Sequence, residues 1–118
     1  MKITQILNRF YVNNMDQALK FYEELLNEKC ANRFAYPEVN LEIARIGNIL
    51  IICGSDEALK PFKDTQATFL VDNIVEYRNF LTTKGAIIIR DLKKVPTGLN
   101  MTVQHNDGTI IEYVEHRK

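Results

Sequence analysis

The alternation of hydrophobic and polar positions predicts strands and helices in a fixed order along the first half of the chain. Residues 3–12 are rich in large and β-branched side chains and predict a strand. Apolar residues then recur at helical spacing over residues 15–26, which predicts an amphipathic helix. Asn14 is a suitable N-cap for this helix, and Asn27 tolerates the positive φ that ends one.

The remaining pattern predicts seven more strands and a second helix. Pro37 separates strands at 29–35 and 39–45 because proline cannot donate to a sheet ladder. Asn73 is a suitable cap for the second helix, and Gly85 ends it. The further strands are predicted at 49–53, 66–71, 86–90, 99–104 and 109–115.

The two halves repeat one another. The stretch Phe10-Tyr11-Val12-Asn13-Asn14-Met15 aligns with Phe69-Leu70-Val71-Asp72-Asn73-Ile74, 59 positions later, and Phe21 aligns with Phe80. Such a period indicates two copies of one supersecondary unit. We therefore predict a single α+β domain over residues 1–118. Its first βαβββ module covers about 1–54, a linker covers 55–64, and the second module covers about 65–118.

Composition excludes several classes of protein. The 118 residues carry 15 basic and 15 acidic side chains, so the basic surface of a nucleic-acid binder is missing. No apolar run approaches the roughly 18 residues of a membrane span. Cys30 and Cys53 are expected to be free thiols, which favours a reducing cytoplasm over an oxidising compartment. We expect a cytoplasmic protein that binds neither nucleic acid nor membrane.

Three motifs resemble one protein family. They are Phe21-Tyr22 in the first helix, the turn Pro96-Thr97-Gly98, and the stretch Asn106-Asp107-Gly108-Thr109-Ile110-Ile111-Glu112. In this order they resemble the vicinal oxygen chelate superfamily of glyoxalases, bleomycin-resistance proteins and extradiol dioxygenases. The resemblance covers the whole chain. It implies two modules whose eight strands form an open cup with the helices outside, and it implies a homodimer.

The resemblance also locates the positions that hold a divalent cation in the metal enzymes of that superfamily. Here those positions fall at Leu7, Ile51, Gln66 and Glu112. Two are aliphatic and cannot coordinate an ion, and Gln66 with Glu112 is too small a ligand set for a catalytic metal. His105 and His116 are expected at the surface, where they do not complete a site. We therefore predict no metal and no cofactor.

Glu112 is the most informative single residue, since it interrupts an apolar strand and, by the resemblance, points into the cup. A buried carboxylate without a partner is costly or takes up a proton. Arg9 is the predicted counter-ion, directly or through Gln66 or a water. Leu70, Ile110 and Val114 are expected in the apolar lining. The predicted ligand-binding residues are Leu7, Arg9, Tyr11, Tyr36, Ile51, Gln66, Thr68 and Glu112.

Three functions fit these residues. An apolar wall with sparse polar groups is typical of a site for a small organic ligand, which favours a metal-free binding protein. The alternative is a lyase, isomerase or dioxygenase of the same superfamily, with a reduced metal site or with Glu112 as the general base. The third is a degenerate partner domain whose cup is filled by Leu7, Ile51 and their neighbours. Tyr11 and Tyr36 either stack on a planar ligand or pack in the core.

Overall fold

Strands and helices follow one another in the same order in both halves of the computed structural model, which describes residues 1–117. The strands are β1 Ile3–Val12, β2 Asn32–Tyr36, β3 Leu41–Ile46, β4 Ile49–Cys53, β5 Thr65–Val71, β6 Ile87–Val95, β7 Gly98–Gln104 and β8 Ile110–His116. The helices are α1 Met15–Leu26, α2 Asp56–Leu59 and α3 Ile74–Thr83, and a 3-10 turn spans Pro37–Val39.

The eight strands are hydrogen-bonded in the order β2-β3-β4-β1-β5-β8-β7-β6. The pairs β1–β4 and β5–β8 are parallel, whereas β2–β3, β3–β4, β6–β7 and β7–β8 are antiparallel. Each half therefore runs strand, helix, strand, strand, strand, with its first and last strands paired side by side. The predicted α+β class with two βαβββ modules and an eight-stranded sheet is confirmed.

The two long helices begin and end where the sequence predicts, because the capping side chains meet the backbone. Asn14 Oδ1 accepts a hydrogen bond from the backbone N–H of Gln17 at 3.0 Å. Asn73 Oδ1 accepts one from the backbone N–H of Glu76 at 3.2 Å. Asn27 ends α1 with φ of 54°, in the left-handed region that asparagine tolerates. These three asparagines set where the two helices begin and where α1 ends.

Apart from shifts of up to three residues at strand ends, two elements differ from the sequence-based expectation. The predicted linker contains α2, a single helical turn that Ser55 caps by accepting from the backbone N–H of Ala58 at 3.1 Å. Strand β6 continues to Val95 instead of ending at Arg90, and its pairing with β7 shifts register on both sides of Arg90. A single turn of helix has too few residues to show a period, and a register shift has no signature in sequence.

The chain divides into two compact units. The first unit is Asn8–Asp64, and the second unit is Met1–Leu7 with the segment that begins at Thr65. In the first unit, α1 buries Met15 and Leu19 against Ala44, Ile46 and Ile51. A separate apolar cluster of this unit contains Leu41, Ile52 and Leu59, with Tyr11, Tyr36, Val39, Leu50 and Phe62 packed against it.

In the second unit, α3 packs on one face of the strands. Its buried side chains Ile74, Tyr77 and Leu81 form a core with the odd-numbered residues Met101, Val103, Ile111 and Tyr113 of β7 and β8. Successive side chains of a strand point to opposite faces. The even-numbered residues of these two strands, Glu112 among them, therefore lie on the face away from α3.

No helix within residues 1–117 combines the length and the apolar character that crossing a lipid bilayer requires.

Candidate functional site

Polar side chains occupy matching positions on four neighbouring strands of the second unit. Thr68 of β5 lies opposite Glu112 of β8, and Glu112 lies opposite Thr102 of β7. Thr102 lies opposite Arg90 of β6, and Asn100 shares its face because it stands two residues before Thr102. Opposite positions on paired strands share a face. We call Thr68, Arg90, Asn100, Thr102 and Glu112 the polar row.

Two buried side chains fix the carboxylate of Glu112. The hydroxyl of Thr68 donates to Oε1 at 3.0 Å, and the Nδ2 of Asn100 donates to Oε2 at 3.2 Å. Thr68 is 2% exposed and Asn100 is 6% exposed, so both donors are held by the packing around them. Hydrogen bonds donated to a carboxylate stabilise its negative charge. The polar row thus holds a half-buried anion in one orientation.

Asn100 also connects this anion to a cation. A guanidinium nitrogen of Arg90 donates a short hydrogen bond to Asn100 Oδ1, and the same nitrogen lies 3.5 Å from Thr102 Oγ1. The other terminal nitrogen of Arg90 donates to the main-chain oxygen of Asp91 at 3.1 Å and to that of Asn100 at 3.5 Å. The amide of Asn100 accepts from the arginine and donates to the glutamate, so the dipole of the amide is aligned with both charges.

Sequence reasoning identified Thr68 and Glu112 but missed the other three members of the polar row. A signal for two of them was present, because Asn100 and Thr102 alternate with the apolar Met101 and Val103. That alternation places both polar side chains on one face of β7. Arg90 carried no comparable signal, since it lies where the register of β6 shifts.

In the first unit, Arg9 bonds to a neighbouring tyrosine. Its Nε donates to the hydroxyl of Tyr11 at 2.8 Å, and its guanidinium carbon lies 5.5 Å from the centre of the Tyr11 ring. The hydroxyl of Tyr11 in turn donates to the main-chain oxygen of Phe62 at 2.6 Å. These contacts hold Arg9 and Tyr11 in defined positions. A pair between Arg9 and Glu112 stays a prediction.

Gln66 lies beside a bulge of β5, where the register with β8 shifts between Thr65 and Ala67. The residue is exposed, and its Oε1 accepts a hydrogen bond from the backbone N–H of Ile110 at 3.3 Å. The residue directly opposite Glu112 is Thr68 and not Gln66.

The predicted place of Ile51 among the ligand-binding residues is wrong by one residue along β4. Ile51 is fully buried in the core under α1. Leu50 lies directly opposite Arg9 on β4, as Glu112 lies opposite Thr68 on β8. Arg9 precedes Thr68 by the 59 positions of the repeat, so Leu50 is the counterpart of Glu112 in the first unit.

Tyr36 and Leu7 are both well packed. Tyr36 contacts the apolar cluster of the first unit that contains Ile52, and its hydroxyl donates to Glu38 Oε2 at 3.4 Å. Leu7, in the second unit, is 2% exposed.

The four positions that would hold a divalent cation do not fit one. Leu50 occupies the position that the sequence analysis assigned to Ile51. The side chains of Leu7 and Leu50 are aliphatic and have no atom that could coordinate an ion. The side-chain oxygen of Gln66 accepts from the backbone, and both oxygens of Glu112 accept from side chains. A divalent metal requires several oxygen or imidazole ligands. Over residues 1–117, no three His, Cys, Asp or Glu side chains are grouped so that they could hold an ion.

His105 lies on the other face of the second unit, and the expectation of an exposed histidine is wrong. Its Nε2 is 2.7 Å from the hydroxyl of Tyr113, and its ring lies 6.4 Å from that of Phe69. His105 is half-buried and Tyr113 is 3% exposed. Burial penalises the phenolate and raises the pKa of Tyr113 to about 12. This pair belongs to the α3 core and not to the polar row.

Comparisons with known proteins identify relatives by structure. No protein-family model matches the chain, and neither does any curated protein. A solved structure of an uncharacterized protein from Methanosarcina mazei is 58% identical over 100% of this chain and 96% of that one, with a TM-score of 0.95.

Two further solved structures share the fold at low identity. Methylmalonyl-CoA epimerase from Mycobacterium tuberculosis is 15% identical to this chain and has a TM-score of 0.80. The match covers 98% of this chain and 90% of the epimerase chain. A hypothetical protein from Bacillus halodurans C-125 is 17% identical and has a TM-score of 0.79. This match covers 99% of our chain and 95% of the Bacillus chain.

Proposed function

This chain belongs to the same family as the uncharacterized protein from Methanosarcina mazei, and from that premise we propose that it binds a small organic molecule without a metal. We place it in the vicinal oxygen chelate superfamily, as a protein of the glyoxalase and bleomycin-resistance type. Two things support this placement: the motifs that end at Glu112 and the fold shared with methylmalonyl-CoA epimerase.

The fixed carboxylate of Glu112 is the observation that carries the proposal. Its two oxygens accept from Thr68 and Asn100, where a metal enzyme would present them to an ion. The apolar Leu70 and Val114 lie opposite each other two residues further along β5 and β8, and both are buried. An apolar surface with a few polar groups at fixed positions is how small organic ligands are usually bound.

The proposed ligand-binding residues follow from this placement. Thr68, Asn100 and Glu112 orient the ligand through hydrogen bonds. The earlier predictions for Leu7, Arg9, Tyr11, Tyr36 and Gln66 are retained as part of the proposal, and Ile51 is withdrawn from it.

A thermal-shift screen of small organic compounds in the presence of EDTA tests the proposal. A ligand at 100 times its dissociation constant adds about 2.7 kcal/mol to the free energy of unfolding. For a domain of this size that corresponds to a rise in Tm of roughly 10 °C. We expect hits with the wild-type protein and with Glu24→Gln, an exposed carboxylate of α1 that serves as the matched control.

The same hits should lose most of their effect with Glu112→Gln, because the variant keeps the shape of the side chain and removes its charge. A hit that stabilises Glu112→Gln as strongly as the wild type would refute the assignment of the site. A screen that yields hits only when a divalent metal replaces EDTA would refute binding without a metal.

Catalysis with Glu112 as the general base is the second candidate. The likeness to methylmalonyl-CoA epimerase favours it, since a carboxylate can act as the base in removing a carbon-bound proton. Both oxygens of this carboxylate already accept hydrogen bonds from Thr68 and Asn100, which favours binding over proton abstraction. The test is incorporation of deuterium from heavy water into methylmalonyl-CoA. Incorporation by the wild type that is absent with Glu112→Gln would establish the enzyme and displace our first proposal.

We further propose that the protein is a homodimer, as the resemblance to the superfamily implies, and that neither nucleic acid nor membrane is a partner. The balance of 15 basic and 15 acidic residues supports the second part. Sedimentation equilibrium measures the first part directly, and a mass equal to one chain at all concentrations would exclude a homodimer.

A further inference from the structure

Within the described residues 1–117, Arg90 differs from the other arginines of the second unit because no acidic side chain pairs with it. Arg78 is paired with Asp91, and Arg117 is paired with Glu115. The hydrogen bonds of Arg90 all go to neutral oxygens, namely the side-chain and main-chain oxygens of Asn100, Thr102 Oγ1 and the main-chain oxygen of Asp91. Within residues 1–117, no carboxylate lies within ion-pair distance of its guanidinium.

The neighbouring carboxylate is engaged elsewhere. Asp91 binds Arg78 through two hydrogen bonds of 2.6 Å each. The guanidinium of Arg78 lowers the pKa of Asp91 to about 2, so the pair persists at any physiological pH. The carboxylate of Asp91 is therefore not available to form an ion pair with Arg90.

Neutral acceptors orient a guanidinium without cancelling its charge. Asn100 is 6% exposed, and it holds Arg90 by two of its oxygens, so the fork of Arg90 is fixed before any ligand arrives. None of these four hydrogen bonds uses the Nε–H of Arg90, so this group can donate to a carboxylate, and the pair forms with little loss of side-chain entropy because the guanidinium is already held. The polar row is therefore positive at β6 and negative at β8.

We infer that the ligand is an organic acid whose carboxylate binds Arg90 and whose hydroxyl or ammonium group, close to that carboxylate, donates to Glu112. This inference rests on the proposed binding function of the polar row. The orientation follows from charge, since Glu112 repels a carboxylate and attracts a donor. The spacing follows from Asn100, because one amide group separates its contact with Arg90 from its contact with Glu112. A donor on the carbon next to the carboxylate fits this spacing.

Matched acids and amides test the inference. The probes are mandelate, 3-phenyllactate and phenylalanine, each beside its own primary amide, which keeps the shape and the donor but removes the negative charge. Binding is followed by NMR through the Nε–H signal of Arg90, which is assigned by its disappearance in Arg90→Gln. We expect at least one acid to shift this signal and to bind about tenfold or more tightly than its amide.

Two variants separate the site from general surface charge. Arg90→Gln should abolish the preference for the acid. Arg117→Gln, which removes the same charge from a guanidinium already paired with Glu115, should preserve that preference. Equal losses in the two variants would overturn the inference.

The remaining outcomes distinguish this inference from the proposed function. If amides and acids bind equally and perturb the side-chain amide signal of Asn100, the binding function stands and the preference for an acid is refuted. If no acid binds while neutral hits of the screen perturb that Asn100 signal, the preference is likewise refuted. If neither the probes nor the hits perturb the polar row, both proposals fail together.

Discussion

At the scale of single residues, the central feature is a glutamate and an arginine that are joined through a neutral amide. Glu112 and Arg90 each contact Asn100, and the amide of Asn100 faces each with the group of opposite polarity. Bringing two charges into direct contact in a buried site requires removing water from both. The bridge through Asn100 orients both ions through a neutral group.

Substitution of Asn100 measures the strength of this bridge. Asn100→Leu keeps the approximate size of the side chain but leaves Glu112 and Arg90 with one partner fewer each, so we expect the free energy of unfolding to fall by about 1–3 kcal/mol. Urea unfolding provides the measurement.

Asn79→Ala is the matched control, an exposed asparagine of α3, and it should change stability by less than about 0.5 kcal/mol. Equal stability of the wild type and Asn100→Leu would contradict the bridge.

Burial of Tyr113 predicts sensitivity to alkali. A tyrosine of the unfolded chain has a pKa of about 10, whereas burial raises the pKa of Tyr113 in the folded protein to about 12. The folded state therefore favours the neutral phenol. This contribution is complete below about pH 10 and is lost as the pH rises towards 12.

We expect the free energy of unfolding of the wild type to decline across this window and that of Tyr113→Phe to decline less. Urea unfolding at a series of alkaline pH values gives both curves. Tyr36→Phe, which removes an exposed hydroxyl beside Glu38, should keep the wild-type slope. Parallel curves for the wild type and Tyr113→Phe would show that burial of the phenol does not control the loss.

The sequence predicted Thr68 and Glu112 of the polar row but not Arg90. Glu112 is visible because a charge inside an apolar strand is conspicuous, and Thr68 follows from alternation along β5. Arg90 is invisible because its partner depends on how β6 aligns with β7. Ile51 was misplaced for the same reason, since a shift of one residue moves a side chain to the opposite face.

At the scale of elements, bulges decide which side chains meet. The bulge of β5 between Thr65 and Ala67 brings Thr68 opposite Glu112, and the shifts of β6 bring Arg90 opposite Thr102. The order of elements and the helix caps could be predicted, because periodicity and cap chemistry are local properties. Bulges depend on contacts between strands and could not be read from the pattern along one strand.

At Gly98, the start of β7 lies in close contact with the end of β8. Gly98 has φ of 149°, and a Cβ atom built there would lie 2.1 Å from the main-chain oxygen of Glu115. We expect Gly98→Ala to destabilise the protein by about 3 kcal/mol or more, since only movement of the backbone relieves the overlap.

Gly108→Ala is the control, because this glycine also has a positive φ, of 92°, but no atom lies within 4 Å of its added Cβ. It should cost only about 1 kcal/mol, from conformational strain alone. Urea unfolding of the two variants side by side gives the comparison, and equal losses would contradict the close approach at Gly98.

At the scale of the whole molecule, the two halves repeat in architecture and differ in chemistry. Leu50 occupies in the first unit the place that Glu112 occupies in the second. In the first unit, Leu59 of α2 joins the apolar cluster with Ile52, and Tyr11 is bonded to Phe62. The repeat predicted the common architecture, but it does not predict that the second unit carries the glutamate Glu112 where the first carries the apolar Leu50.

This asymmetry predicts that the protein does not retain a divalent cation. In the superfamily that the chain resembles, a metal draws ligands from both modules, whereas Leu7 and Leu50 supply none here. The most direct measurement is elemental analysis of the purified protein after incubation with Mn²⁺, Co²⁺, Ni²⁺ or Zn²⁺ and removal of unbound metal. Our account predicts only trace metal, equal in the wild type and in Glu112→Gln. One ion per chain in the wild type, lost in Glu112→Gln, would contradict it.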